Sequence, residues 1–395
     1  MYSFSKGESR FRCRRTAGVL LSLLLLGLTA CAAQYPYNPL VDPAVLPGEE
    51  PTRYDRFYDA ARQEEPLILI LAFSGGGTRA ASLAYGTLEA LKRVEHARGR
   101  EGSVGAPVTM LDHVSFITAV SGGSFTAAYY GLHGDGIFDD FRERFLLRDV
   151  QGDLIRMIFN PFHWPRLASP RFGRSDLAHE YYDRTLFDGA TLVDMTGDDK
   201  PAITILATDL VEGTTFPFIP DTFDLICSDF NAFPVARAVA ASAAFPGVLS
   251  PVILKNYSDR CHTGTPRWIA EALEKPDPRS RTYHIAREAD TYLNPEEKPY
   301  IYLIDGGVSD NLGLRAVMKK IMLTGGIGQI ISELQWEQAP RIAFIIVDAE
   351  TQKRPTWHSL GNIPGIRSIL GLSSMVIINK YNYETIDLLH RTIQD

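Results

Sequence analysis

Apolar residues fall along this chain in two spacings. At residues 67–73, 114–120, 202–208, 300–304 and 341–347 they form short continuous runs rich in β-branched and aromatic side chains. Runs of that length bounded by glycine or polar residues read as strands, and continuous apolarity reads as burial on both faces of a parallel sheet. After the first two runs the spacing becomes helical, once from Thr78 to about Arg98 and once beyond Ser121. Strand, turn and helix in repeated succession predict one α/β domain over residues 66–350. Two segments stand apart from that rhythm. Residues 138–188 read as helical and carry Phe159, Phe162, Trp164, Tyr181 and Tyr182, which the pattern assigns first to core packing. Residues 258–297 are polar and charged, with Trp268, Ile269 and Leu273 as a small helical apolar set, and read as an insertion between core elements. The last stretch, within 351–395, is helical from Ile366 but lacks a capping signal, as in a fragment or a chain that continues. No internal repeat is evident.

The amino terminus changes the picture. Lys6, Arg10, Arg12, Arg14 and Arg15 precede an apolar run from Ala17 to Ala30 that is too short to span a bilayer and suits a signal-peptide core over residues 1–30. It ends in Leu28-Thr-Ala-Cys31, which resembles a bacterial lipoprotein signal and implies lipid attachment at Cys31. Multiple acyl chains suffice for stable anchoring. With Ala32 and Ala33 next, the expected location is the bacterial cell envelope, lipid-anchored at the outer membrane and facing the periplasm. Residues 31–65 have prolines at 36, 39, 43, 47 and 51 and read as an extended tether.

Charge narrows the partners. The full chain carries a net −7, and removing residues 1–30, which hold +4, leaves about −11. An acidic chain gives no support for nucleic-acid binding and argues against broad electrostatic attachment to anionic lipid. Once Cys13 is cleaved off and Cys31 acylated, only Cys227 and Cys261 remain. In an oxidising compartment the two most simply pair, which would contribute roughly 3 to 4 kcal/mol in the chain-entropy model.

Three strand-to-turn junctions carry the chemistry. In Val114-Ser-Phe-Ile-Thr-Ala-Val-Ser121-Gly-Gly-Ser-Phe a strand ends, a serine sits at the turn and a helix starts. This is a G-x-S-x-G elbow with Ala119 in place of the first glycine; such a turn exposes the hydroxyl, and the next helix's N–H groups favour negative charge beside it. Leu67-Ile-Leu-Ile-Leu-Ala-Phe-Ser74 runs into Gly75-Gly-Gly-Thr-Arg79-Ala-Ala, a loop whose backbone N–H groups can hold an anion, either a phosphate or a developing oxyanion. The P-loop ending Gly-Lys-Ser/Thr is absent. A dinucleotide fingerprint would need glycine at Ala80 and an acid at a second strand's end; Glu101 has the distance but lies in a loop. Third, Tyr300-Ile-Tyr-Leu-Ile-Asp305-Gly-Gly delivers a carboxylate at a strand end. In open parallel sheets the carboxyl ends of the strands form the ligand crevice.

Ser-Gly-Gly-Gly-Thr-Arg (74–79), Ala-Val-Ser-Gly-Gly-Ser (119–124) and Asp-Gly-Gly (305–307), in that order, resemble the patatin-like phospholipases, and Ala-Ala-Ser-Ala-Ala-Phe-Pro-Gly (240–247) resembles a further family stretch. The likeness runs roughly from Leu67 to Met322. It implies a three-layer α/β fold with a central, mostly parallel sheet and helices on both faces. It further implies a lipid acyl hydrolase of the phospholipase A or lysophospholipase type working through an acyl-enzyme, without cofactor or metal. Carried over, Ser121 is the nucleophile, Asp305 the base, and Gly75, Gly76 and Gly77 the oxyanion loop. Membrane lipid or another fatty-acyl ester is the implied substrate, with transacylation as a variant of the same chemistry. Residues 138–188 then have a second reading, as a cap over an acyl chain or a membrane contact.

Other readings stay open at this point. A Ser-His-Asp esterase of the α/β-hydrolase order would draw on Asp348 with His358, since only His358 and His390 follow Asp305. A non-catalytic lipid-binding envelope lipoprotein on the same fold is the alternative outside enzymes.

Overall fold

Leu67–Phe73 forms strand β1, buried throughout except at its half-buried first residue. Leu69, Leu71 and Phe73 face one side and Ile68, Ile70 and Ala72 the other, as the twofold side-chain alternation of a strand requires. The computed structural model describes residues 37–42, 67–95, 108–197, 200–261, 264–323, 329, 341–350, 361 and 363–394. The expected leader, Cys31, His358 and most of the expected tether lie outside them.

The other strands are β2 (Val114–Val120), β3 (Ala202–Asp209), β4 (Thr214–Pro217), β5 (Val252–Lys255), β6 (Tyr300–Asp305) and β7 (Arg341–Val347). The main helices are α1 (Thr78–Arg93), α2 (Gly122–His133), α3 (Val150–Phe159), α4 (Arg174–Tyr182) and α5 (Val235–Ser242). They continue with α6 (Arg267–Glu274), α7 (Arg281–Thr291), α8 (Arg315–Leu323) and α9 (Ile366–Gln394). The sheet order is β5-β6-β3-β2-β1-β7, with β4 also on β3. Strands β3, β2, β1 and β7 are mutually parallel. Strands β4 and β6 are antiparallel to β3, and β5, antiparallel to β6, again runs with β3. The larger core lies between the sheet and α1, α2, α4 and α5; Met318, Ile321 and Leu389 from α8 and α9 cover the other face. This is the mostly parallel three-layer arrangement, with helices on both faces.

Register places the site. β2 ends at Val120, opposite Leu206 of β3, and from Leu206 onward the hairpin strand β4 occupies the edge of β3 that β2 has left. β6 enters on the other edge and stops at Asp305, opposite Ala207. Ser121, one residue past Val120, and Asp305 thus reach the same level from opposite sides of β3. Asp305 does not, however, end a parallel strand: β6 runs against β3 and overlaps only its last three residues, because the chain returns to the sheet from the far edge after the 258–297 segment.

Four further expectations change. The first helix stops at Arg93, where Val94 turns extended and its carbonyl accepts the Met110 N–H at 2.8 Å, so it does not reach Arg98. Residues 37–42 are docked, not extended free: Leu40 bridges Ser228, and the buried Asn38 amide accepts from Lys255 N at 2.6 Å and donates to its carbonyl at 3.1 Å. That pairing satisfies Lys255 at the open edge of β5. The aromatics of 138–188 divide, with Tyr181 and Tyr182 in the core and Phe159, Phe162 and Trp164 in solvent. In the 258–297 segment Ile269 is buried against Ala286 and Ala289 of α7, whereas Trp268 is exposed. Cys227 and Cys261 are disulfide-bonded, fastening that segment to the sequence following β4.

Candidate active site

Ser121 has φ 49° and ψ −119°, a left-handed backbone that L-residues rarely adopt. The turn that imposes it is built by close approach. A methyl group on Gly122 would stand 2.0 Å from the Gly77 carbonyl oxygen, so only glycine lets the serine turn and the glycine loop touch. The strained serine is clamped by its own backbone, its N–H donating to Ser242 Oγ at 2.8 Å, while Ser242 Oγ donates to the Leu206 carbonyl at 2.6 Å.

The Ser121 hydroxyl donates to Asp305 Oδ2 at 2.7 Å. The other carboxylate oxygen accepts the Gly307 N–H at 2.8 Å. Asp305 is itself held by backbone bonds to the segment carrying Ser242: its N–H donates to the Ala244 carbonyl at 3.0 Å and that of Gly306 to the Ser242 carbonyl at 3.1 Å. Burial pushes the Asp305 carboxyl up to about 6, against the opposing pull of the hydrogen bonds from Ser121 and Gly307. A carboxylate whose proton affinity is raised in this way can take a proton from a hydroxyl it already touches.

The glycine loop divides by function. Gly75 is buried and its N–H donates to the Asn311 carbonyl at 3.1 Å, so it is not free to bind an oxyanion, contrary to the sequence-based assignment. Gly76 and Gly77 are exposed, with φ 144° and 63°, and their N–H groups have no protein acceptor among the described residues. They and the N-terminus of α2 offer donors and partial positive charge next to Ser121. Ser74 fixes the loop's root, accepting the Ala349 N–H at 2.8 Å beside the end of β7.

Ser124, the second serine of the motif, is buried within the first turn of α2 and donates to the Ser121 carbonyl at 2.5 Å. Among the described residues no histidine hydrogen-bonds Ser121 or Asp305. Asp348 is exposed and caps the Glu350 N–H at 2.9 Å, and His390 is exposed on α9, so neither belongs to the site. Sequence reasoning gave Ser242 and Asn311 no role. Ser242 lay in the 240–247 stretch, where its small-residue context was the one signal available.

The patatin-like phospholipase family matches residues 71–318. Two similar solved structures are the human GIVD cytosolic phospholipase A2, 12% identical over 67% of this chain and 46% of that one with a TM-score of 0.36, and a human GIVD cytosolic phospholipase A2 complex with methyl gamma-linolenyl fluorophosphonate inhibitor and terbium chloride. The latter is 13% identical over 64% of this chain and 37% of that one, with a TM-score of 0.32. The chain thus spans less than half the length of either. No curated protein matches it.

Proposed function

The chain belongs to the patatin-like phospholipase family, and from that membership and the site geometry we propose that it is a serine lipid acyl hydrolase of the phospholipase A or lysophospholipase type. The observation that carries this reading is the direct 2.7 Å bond from the Ser121 hydroxyl to the buried Asp305 carboxylate. In the mechanism it supports, Ser121 Oγ attacks the ester carbonyl carbon as Asp305 Oδ2 takes its proton. The carbonyl oxygen gains charge and receives the Gly76 and Gly77 N–H groups. Collapse breaks the ester C–O bond, and Asp305 returns the proton to the leaving alcohol. Water then attacks the acyl-serine with Asp305 again as base, releasing the fatty acid and restoring the hydroxyl. Water as the second acceptor makes this hydrolysis; a lipid alcohol in its place would make it transacylation.

The intact pair also speaks against a purely lipid-binding role, since binding alone does not call for a strained serine on a buried base. For location, the 1–30 leader and Cys31 support a lipid-anchored envelope protein. No helix among the described residues is long and apolar enough to cross a membrane.

The test is labelling with a serine-directed fluorophosphonate, followed by a lipid panel. Wild type is expected to label and to release fatty acid. Ser121→Ala should do neither, and Ser124→Ala should keep measurable activity. Labelling retained in Ser121→Ala moves the active site elsewhere.

A further inference from the structure

Resting on the reading of the chain as a serine lipid acyl hydrolase, we propose that the side-chain amide of Asn311 holds the water that hydrolyses the acyl-serine, and so selects water over an alcohol as the acyl acceptor. Asn311 directly follows the short helical turn Gly307–Asp310. Its carbonyl accepts the Gly75 N–H at 3.1 Å, which ties the aspartate turn to the glycine loop through the main chain alone. The side chain has no part in that tie. It is only 8% exposed and makes no hydrogen bond to any described residue. Its amide atoms are not among the polar atoms sealed from solvent, so the remaining exposure reaches them. A nearly buried amide without a protein partner needs one of another kind.

Two glycines show where the amide lies. A methyl group on Gly75 would stand 2.6 Å from Asn311 Oδ1 and 3.4 Å from Ser121 Cβ. One on Gly307 would stand 3.0 Å from both Asn311 Oδ1 and Asp305 Oδ1. Laid end to end, each pair of contacts puts Asn311 Oδ1 no more than about 6 Å from Ser121 Cβ and from the Asp305 carboxylate. One water covers a gap of that order with two hydrogen bonds of about 2.8 Å. The same contacts explain why residue 75 is glycine. Its N–H is committed to Asn311 and is no oxyanion donor, but its missing side chain leaves the space that the amide fills.

The chemistry follows from the hydrogens available. Asp305 Oδ2 accepts the Ser121 hydroxyl and Oδ1 accepts Gly307. Once the leaving alcohol has carried off the Ser121 proton, Oδ2 is open to a new donor. A water between Asp305 and Asn311 gives one hydrogen to Oδ2 and the other to Asn311 Oδ1, an amide oxygen and therefore an acceptor. The water oxygen bonds to the acyl carbon as Asp305 takes the first proton. The acyl C–Oγ bond then breaks, and Asp305 returns that proton to Ser121 Oγ. Asn311 keeps its hydrogen bond throughout and transfers nothing. An alcohol has a single hydroxyl hydrogen, which Asp305 must receive, so it sets a carbon group against the amide. That mismatch disfavours transacylation.

The experiment gives the full chain a p-nitrophenyl butyrate donor with added methanol, and follows nitrophenolate, butyric acid and methyl butyrate. Wild type is expected to form mostly acid. Asn311→Leu fills the same space without the acceptor. It should lower acid formation about tenfold, the weight of one hydrogen bond, and raise the ester-to-acid ratio by about the same factor. Nitrophenolate should then appear as a burst followed by slow turnover, because deacylation has become limiting. Labelling by a fluorophosphonate, whose fluoride leaves without a proton, should stay within about threefold of wild type. Gly75→Ala displaces the amide and should move the ratio the same way, which decides the matter if Asn311→Leu does not fold. Asn311→Ser retains an acceptor nearer the main chain and should recover part of the preference. An unchanged ratio in an Asn311→Leu protein that still labels overturns the proposal, as does a wild type that forms mostly ester. So does a loss of labelling equal to the loss of acid formation, which would make Asn311 a support for the elbow alone. Ser121→Ala should lose labelling and both products. A wild type that neither labels nor releases acid fails the enzymatic reading itself, a result distinct from failure of the partition.

Discussion

In the proposed mechanism Asp305 is where stability and chemistry oppose each other. Its carboxyl is raised from 3.8 to about 6 chiefly by burial. Ionisation is therefore harder in the folded than in the unfolded chain, and the folded state bears that cost wherever the group is charged, above about pH 6. As the pH falls through 6 the folded carboxyl takes up a proton and the cost disappears toward the unfolded value near 4. Two units correspond to about 3 kcal/mol, an upper figure for a site that can relax. Asp305→Asn keeps the shape and the acceptor for Gly307 but cannot take the Ser121 proton. It is expected to lose activity as completely as Ser121→Ala, and to unfold at a higher temperature than wild type at pH 8, with the gap reduced to about half at pH 5 and closing near pH 4. In wild type, kcat/KM should fall on the acid side with an apparent pKa near 6. His358→Ala and His390→Ala should each stay within about tenfold of wild type, or ~1.4 kcal/mol. Full activity in a folded Asp305→Asn protein, with loss in His358→Ala, would instead require a histidine base.

At the scale of elements, α5 is the part that joins the proposed nucleophile to the proposed base. Its last residue, Ser242, gives its hydroxyl to the Ser121 elbow and its carbonyl to Gly306, so the relative height of β2 and β6 is set through one side chain and one peptide. Ser242→Ala leaves the Ser121 N–H and the Leu206 carbonyl without their partner in the core, and the elbow loses its clamp. We expect kcat to drop about 10- to 100-fold with little change in KM, since a small misplacement of a nucleophile costs on that order. Partial recovery in Ser242→Cys would mark positioning, whereas a loss confined to KM would contradict it. The clamp was beyond reach from sequence because it is a contact between residues 121 apart in the chain. What was legible was local. Five strands announced themselves as apolar runs, and each key turn carried its glycines next to its serine or aspartate. Strands β4 and β5, four residues each, are too short to show a period, and the reversed direction of β6 depends on where the chain re-enters the sheet. The exposed Phe159, Phe162 and Trp164 were assigned to the core because helical spacing reports a shared face and not what covers it.

At the scale of the molecule, the chain after the hairpin makes a long excursion before it returns with Asp305. Between β4 and β6 it adds β5 at the sheet's edge and then the α6–α7 segment, whose own apolar contacts centre on Ile269, Ala286 and Ala289. So small a cluster does not hold such a segment alone. Two ties fasten it. The buried Asp209, at the end of β3, accepts Lys298 Nζ at 2.7 Å and the Tyr292 hydroxyl at 2.9 Å. The Cys227–Cys261 disulfide closes a loop with a sequence separation of 34. In the chain-entropy account a loop of that size contributes about 3 to 4 kcal/mol. Because Asp305 follows the segment directly, loosening it should be felt at the Ser121–Asp305 pair, but only after the second tie is lost. Cys227→Ser with Cys261→Ser is therefore expected to lower the unfolding temperature by roughly 10 °C, at 2–4 °C per kcal/mol for a domain of this size. Fluorophosphonate labelling at 25 °C should remain close to wild type. Hydrogen exchange should speed up in residues 258–291 and stay slow in β2 and β3. An unchanged melting temperature would mean the disulfide constrains nothing that folding does not already hold, and lost labelling at 25 °C would mean the segment positions Asp305 directly.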